Sequence, residues 1–215
     1  MNALPYPQGS PEWLQARVGR VTASRIKDVC AQGKGSAPSV TREAYMGELI
    51  AERLTGLASN DGYTNADMQR GTDLEPLARA AYEVRTKQMV DEVGLVLHPR
   101  NEFFGASPDG VVGTDGLLEI KCPRTHVHIS YLLNRKPPPA YIPQMAWQAF
   151  CCERSWVDFV SFDPKMPEDL QLFIVRYVPE AEYLRELEQQ ALKFLDEVSA
   201  KISALKTLNR LAAIL

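Results

Sequence analysis

The sequence predicts an α/β or α+β protein: a sheet with helices on its faces, in a single domain. Three observations predict it. Helical amphipathic segments dominate the first part of the chain, β-branched and aromatic runs of strand length follow from residue 94, and a long apolar-striped segment closes it. At 215 residues the chain is long enough for one sizeable core and short for two. The expected domain therefore spans residues 1–215, with residues 180–215 as a long C-terminal helix that packs on the core or on a neighbouring subunit.

The elements follow in order. EWLQARVG, from Glu12, reads as a helix. VTASRIKDVC, from Val21, reads as a second short helix that Thr22 or Ser24 caps. Gln32 to Thr41 is loop by composition and expected to be mobile. REAYMGELIAERLTG is an amphipathic helix ending at Gly56. TDLEPLARAAYEVRTK is another, with Thr72 as N-cap and Glu75 three residues on, the spacing of a capping box.

Then the pattern shifts to strands: GLVLHP, the hairpin from Gly105 to Cys122, WVDFVSF and LQLFIVRYV. Between the last two and the hairpin, the prolines Pro137 to Pro139 make a stiff loop, and YIPQMAWQAFCC reads as a helix packed on the sheet. The pattern implies a mostly antiparallel meander with one helix inserted. From Glu180, apolar residues at Leu184, Leu187, Ala191, Leu195, Val198, Ile202 and Leu205 form one helical stripe. Such a stripe covers the chain's own core or meets another subunit.

Hydrophobic residues make up 45% and charged residues 24%, the profile of a soluble globular protein. No apolar run approaches the ~20 residues that span a bilayer, and the N-terminus has neither a basic n-region nor an apolar h-region. Cys30, Cys122, Cys151 and Cys152 contain no C-x-x-C pair and read as reduced thiols of a cytoplasmic protein. The net charge of −3 leaves any nucleic-acid binding to local patches. His98, His126 and His128 lack the i, i+4 spacing of a zinc hydrolase, and no Walker-type phosphate loop is present, so no ATP requirement is expected.

The hairpin GASPDGVVGTDGLLEIKC raises the chemical question. Alternation puts Leu117, Glu119 and Lys121 on one face of the second strand and Leu118, Ile120 and Cys122 on the other. Asp109 opens the preceding strand, and the turn GTDG brings the two strands together. Singly these residues have ordinary roles: Ser-Pro-Asp-Gly makes a turn, and Glu119 with Lys121 makes a surface ion pair worth ~0–1 kcal/mol. Together they imply more. Two carboxylates held ~4–6 Å apart repel unless a cation lies between them. Oxygen ligands of this kind suit Mg²⁺, and a lysine beside it orients a water or offsets charge on a phosphate. That set matches phosphodiester hydrolysis.

Pro108-Asp109, nine intervening residues, then Glu119-Ile120-Lys121 resembles the PD-(D/E)XK nuclease signature. RVGRVTAS from Arg17, GTDLEPLA from Gly71, SPDG from Ser107, LEIKCP from Leu118 and YIPQ from Tyr141 occur in the order seen in lambda-exonuclease-like, YqaJ-type viral recombinases. The resemblance covers about residues 10 to 180.

It implies a restriction-endonuclease-like core with a central mixed β-sheet flanked by helices. It implies a 5′→3′ exonuclease on linear double-stranded DNA, releasing 5′-mononucleotides and leaving 3′ overhangs for strand annealing. The cofactor implied is Mg²⁺, two per active site, with Mn²⁺ able to substitute. Asp109, Glu119 and the main-chain carbonyl of Ile120 would hold metal, and Lys121 would position the attacking water. Glu75 matches the family's helix carboxylate, a role compatible with the capping box. Gln144 matches a glutamine over the active site. The family's second glutamine, two residues later, is Ala146 here, with Gln148 the next glutamine. Arg17, Ser24 and Ser107 match residues that bind the terminal 5′-phosphate, as an arginine fork and hydroxyls at a helix N-terminus suit an anion.

The same resemblance implies a homotrimeric ring around double-stranded DNA ends, a phage-type single-strand annealing protein as partner, no membrane association, and a phage or prophage protein in the bacterial cytoplasm. Arg20, Arg25, Lys27, Lys34, Arg53, Arg70, Arg124, Arg135 and Lys136 are candidates to line the channel. The competing readings are a restriction-like endonuclease, a Cas4-like protein whose four cysteines hold an iron–sulfur cluster, and a non-catalytic DNA-binding scaffold.

Overall fold

The computed structural model describes residues 1–33, 35, 39–59 and 66–212, with the side chains of residues 209–212 left aside. Lys34 and residues 36–38 of the expected loop lie outside the described residues.

The first helix, α1 (Pro11–Arg17), starts where Ser10 accepts a 3.1 Å hydrogen bond from Trp13 N and a proline takes the first turn. Arg17 lies in its last turn. The segment read as a second helix divides instead. Val21–Thr22 is a strand (β2), followed by a 3₁₀ turn (Ala23–Arg25) and α2 (Ile26–Val29), and Thr22 makes no capping bond. β2 pairs parallel with a later strand, so a ladder claims Thr22, while Ser24, the other expected cap, lies within the 3₁₀ turn.

Helix α3 (Val40–Thr55) is capped by Ser39, whose Oγ accepts from Arg42 N, and ends at Gly56 with φ +71°, a left-handed conformation glycine adopts without strain. Helix α4 (Ala66–Thr86) begins six residues before Thr72. Thr72 is therefore interior, its hydroxyl donating to Met68 O one turn back at 3.3 Å. The expected capping box does not exist, and Glu75 is free of that role.

Among the described residues, nine strands form two mixed sheets where one was expected. β1 (Asn2–Ala3), β4 (Val96–His98), β5 (Asn101–Ala106) and β2 make one, in the order β1-β4-β5-β2. β3 (Val90–Asp91), β6 (Gly110–Val112), β7 (Gly116–Lys121), β8 (Trp156–Phe162) and β9 (Leu172–Tyr177) make the other, in that order. The meander is broken because β7 and β8 run parallel, from Gly116 opposite Trp156 to Lys121 opposite Ser161. A parallel pair needs a long crossover. Here α5 (Thr125–Asn134), which the sequence reading missed, and α6 (Ile142–Cys152) supply it. Gly116 lies so close to Trp156 that a Cβ there would sit 2.1 Å from the indole ring, which explains a glycine opening β7.

The second sheet is covered on both faces. Leu117 joins a core with Trp147, Phe159 and Phe194, under α3, α6 and the C-terminal helix α7 (Ala181–Ala212). Leu118 and Ile120 join a second core with Ala78 and Tyr82 of α4. Leu187, Ala191, Leu195 and Val198 are all buried, so the stripe on α7 covers the protein's own core, while Leu205 is exposed. Burial on both faces decides the environment of the next residue on Leu117's face, Glu119.

Candidate active site

Glu119 is 0% exposed. A carboxylate there must be paired or hydrogen-bonded, and α6 supplies donors from one face. Gln144 Nε2 donates to Glu119 Oε1 and Gln148 Nε2 to Oε2, each at 2.6 Å, and Lys121 forms an ion pair with Oε1. A surface ion pair between Glu119 and Lys121 is thereby ruled out. Gln148, which the sequence left without a role, joins Gln144 at Glu119 because i and i+4 share a helix face; Ala146 is buried in the core.

Asp109 is half-buried and fixed to the same strand. Its N–H donates to Leu118 O at 3.0 Å, and its Oδ2 accepts from Ile120 N at 2.6 Å. Asp109 is held well above the usual carboxylate range, first by burial and then by the charge of Glu119. Burial would lower the Lys121 ammonium, but Glu119 and Asp109 beside it outweigh that and raise it. The Lys121 ammonium also lies 5.3 Å from the centre of the Tyr141 ring.

Glu75 reaches the site through Arg79, one turn on. Arg79 Nη2 donates to Glu75 Oε1 at 2.7 Å and to the main-chain oxygen of Asp109 at 3.3 Å. Burial raises the Glu75 carboxyl, against the pull of Arg79 and Lys121. Among the described residues Glu75 Oε2 and Asp109 Oδ1 accept no hydrogen bond. No three His, Cys, Asp or Glu side chains group as a ready metal cluster among the described residues. Two carboxylates brought together from α4 and the entry to β6, with unused oxygens and mutual repulsion, nonetheless fit a cation that takes one or two carboxylates and fills its remaining positions with water or phosphate.

Arg17 and Ser24 also come together: Arg17 Nη2 donates to Ser24 Oγ at 3.4 Å and to Thr22 Oγ1 at 3.5 Å. Ser107 joins them through Trp13. The indole Nε1 donates to Ser107 Oγ at 3.0 Å, and the Arg17 guanidinium lies 4.4 Å from the indole ring centre. No motif singled out Trp13. Arg17, Ser24, Glu75 and Asp109 line one cleft of about 1360 Å³.

Of the proposed channel residues, Lys27, Arg135 and Lys136 are exposed. Others have intramolecular work. Arg20 donates to Glu102 O and Ala16 O, Arg25 pairs with Asp28 and Glu48, and Arg53 donates to Gly19 O. Arg70 bridges Cys122 O and Asp163, and Arg124 pairs with Asp67. The histidines are separate. His128 is buried between Ser161 Oγ and Leu170 O, His98 stacks on Phe150, and His126 is exposed. Cys122 follows β7, Cys151 and Cys152 end α6, and Cys30 follows α2, all as free thiols. No helix among the described residues is long and apolar enough to cross a membrane.

Residues 12–155 match the model of the YqaJ-like viral recombinase domain. An alkaline exonuclease from Laribacter hongkongensis, LHK-Exo, is 46% identical, with 96% of this chain and 100% of that chain covered. The TM-score is 0.85 for its complex with dAMP and 0.84 for a second structure. A phage-related exonuclease from Haemophilus somnus 129PT shares the fold at 17% identity and a TM-score of 0.69, over 86% of this chain and 96% of that one. An uncharacterized protein, R354, of Acanthamoeba polyphaga mimivirus is 29% identical over 168 residues, 72% of this chain; the chain spans 29% of that protein's length.

Proposed function

This chain belongs to the YqaJ-like viral recombinase domain family, and we propose that it is a metal-dependent 5′→3′ exonuclease on linear double-stranded DNA. The observation that carries this reading is the join of Asp109, Glu119 and Lys121 on β7 and its approach, with Asp109 sharing a cleft with Arg17 and Ser24. A hydrolytic centre and an anion site in one cleft suit a phosphorylated DNA end. The 46% identity to an alkaline exonuclease over its full length supports the same chemistry.

Asp109, Glu119 and the Ile120 carbonyl would hold Mg²⁺, two ions per site, with Mn²⁺ as a substitute. The chemistry supplied by the bound ions is polarisation of the phosphoryl oxygen and a lowered pKa for water. Lys121 orients the attacking water and offsets charge developing on the phosphate. Gln144 and Gln148 hold Glu119 in one rotamer, and Glu75 contributes a carboxylate from the helix side. Arg17, with Ser24 and Ser107, grips the terminal 5′-phosphate through charge-assisted hydrogen bonds. Because backbone contacts carry no base information, cutting is largely sequence-independent. A homotrimeric ring would make retention on DNA topological for an acidic subunit, and the 3′ overhang would pass to a phage-type single-strand annealing protein in a bacterial cytoplasm.

The test uses linear duplex labelled at either end, with 5′-phosphate or 5′-hydroxyl termini, a covalently closed circle, and Mg²⁺. Mononucleotides released from phosphorylated 5′ ends, an intact circle and an inactive Lys121→Ala variant are expected. A nicked circle would replace this reading with an endonuclease. Binding without cleavage by the wild type would replace it with a scaffold.

A further inference from the structure

Arg79 was not singled out by any motif, yet it ties Glu75, the main chain of Asp109 and Glu92 together. It is 12% exposed. Nη2 is shared between Glu75 Oε1, on its own helix, and the main-chain oxygen of Asp109, on the segment entering β6. Nη1 pairs at 2.6 Å with Glu92 Oε1, a side chain that is 75% exposed. Its Nε is buried without a partner among the described residues. A planar guanidinium can span three acceptors in fixed directions; a lysine ammonium is a point charge on a flexible stem. An ordinary i, i+4 pair on a helix surface needs neither the third element nor the burial.

The placement has a consequence for the two carboxylates. Arg79 occupies one oxygen of Glu75 and holds the backbone of Asp109, so that among the described residues Glu75 Oε2 and Asp109 Oδ1 remain open in the same cleft. α4 carries Glu75 and the β6–β7 hairpin carries Asp109, and Arg79 joins helix to hairpin by direct hydrogen bonds at this point. We propose that Arg79 is a positioning residue: it docks α4 on the hairpin so that Glu75 and Asp109 present their free oxygens to one divalent cation, with Glu92 as the anchor that fixes the fork. This inference rests on the hydrolytic reading above for its consequence, though not for its geometry.

The sign of one measurement separates positioning from mere charge. Removing a cation that acted only through its charge would let Mg²⁺ bind more tightly. Removing one that aligns two ligands makes Mg²⁺ bind more weakly. Mg²⁺ affinity is measured by calorimetry without DNA for wild type, Arg79→Gln, Arg79→Lys, Glu75→Gln and the Arg79→Gln/Glu75→Gln double variant. The cleavage rate on a 5′-phosphorylated duplex is measured alongside. Arg79→Gln is expected to weaken Mg²⁺ binding and slow cleavage by ~10–100-fold, as loss of groups that orient metal ligands does. Arg79→Lys is expected to be nearly as impaired, because it keeps the charge and loses the fork. In the Glu75→Gln background, Arg79→Gln should add less than about twofold, the non-additivity of residues that act through each other.

Tighter Mg²⁺ binding by Arg79→Gln, wild-type behaviour of Arg79→Lys, or fully multiplicative effects would overturn the proposal. Melting curves identify a variant that fails to fold; if Arg79→Gln does so, the proposal stands or falls on Arg79→Lys and on Glu92→Gln, which removes only the exposed anchor and is expected to weaken Mg²⁺ binding a few-fold. A wild type that shows the Mg²⁺ pattern but cleaves nothing would remove the nuclease reading and leave the positioning role intact.

Discussion

Asp109 Oδ2 accepts a 2.6 Å hydrogen bond from the main-chain N–H of Ile120, between Glu119 and Lys121. One short bond across the hairpin thus sets the separation of the carboxylates and aligns the aspartate with Lys121, the next residue along. It also holds Asp109 close to a like charge, which its raised pKa reflects alongside its burial.

Asp109→Asn should therefore separate function from stability. A carboxyl whose folded pKa is raised favours its neutral form in the fold, so its charge at neutral pH costs stability in the metal-free protein. The variant is expected to melt at a higher temperature than wild type in a chelator, while cleavage falls at least ~10²-fold, the scale of losing a preorganised electrostatic group. Thermal unfolding with EDTA and a nuclease assay with Mg²⁺ check the two halves. A lower melting temperature would mean that the Ile120 bond outweighs the repulsion.

Gln148→Leu keeps the volume of a buried side chain and deletes the donor to Glu119 Oε2. A buried carboxylate oxygen left short of a donor costs ~1–3 kcal/mol. Denaturant unfolding should register that loss, and cleavage should slow by ~10-fold or more as Glu119 gains rotamer freedom. An unchanged rate with lowered stability would confine Gln148 to packing.

Arg17→Ala tests the end pocket. Hydrogen bonds to charged groups contribute ~1.5–3 kcal/mol, so kcat/KM on 5′-phosphorylated ends should fall ~10–150-fold while 5′-hydroxyl ends are cut as by wild type. Equal losses on both substrates would move Arg17 from phosphate recognition to holding α1, through its contact with Trp13.

Acid stability should report on Asp163, which is fully buried and accepts from Thr125 Oγ1 at 2.6 Å, Lys165 N at 3.2 Å and Arg70 Nη2 at 3.1 Å. Burial alone would raise this carboxyl, but those donors and the Arg70 charge hold it below the usual range. A depressed folded pKa gives stability that is present above the unfolded value of ~4 and lost as pH falls through the folded one. The melting temperature of wild type should thus drop more steeply below about pH 4 than that of Asp163→Asn, which starts lower at neutral pH. Parallel curves would assign the acid loss to other carboxylates.

What the sequence determined by itself is local. Gly56 marks a helix end, the Val/Ile/Phe runs of β8 and β9 mark strands, and alternation along LLEIKC put Glu119 on the face of Leu117, because capping and side-chain periodicity are encoded within a few residues. Only the tertiary structure decided the rest. Val21 and Thr22 became a strand because β5 was available to pair with them, and Thr72 lost its cap because α4 extends upstream of it. Gln148 and Arg79 became part of the site through contacts with residues 29 and 30 positions away. Whether Glu119 is a surface ion pair or a buried carboxylate depended on α6 crossing over β7, and no window of sequence around Glu119 contains that helix. Burial and long-range hydrogen bonds are properties of how elements pack, so they become visible only once the elements have met.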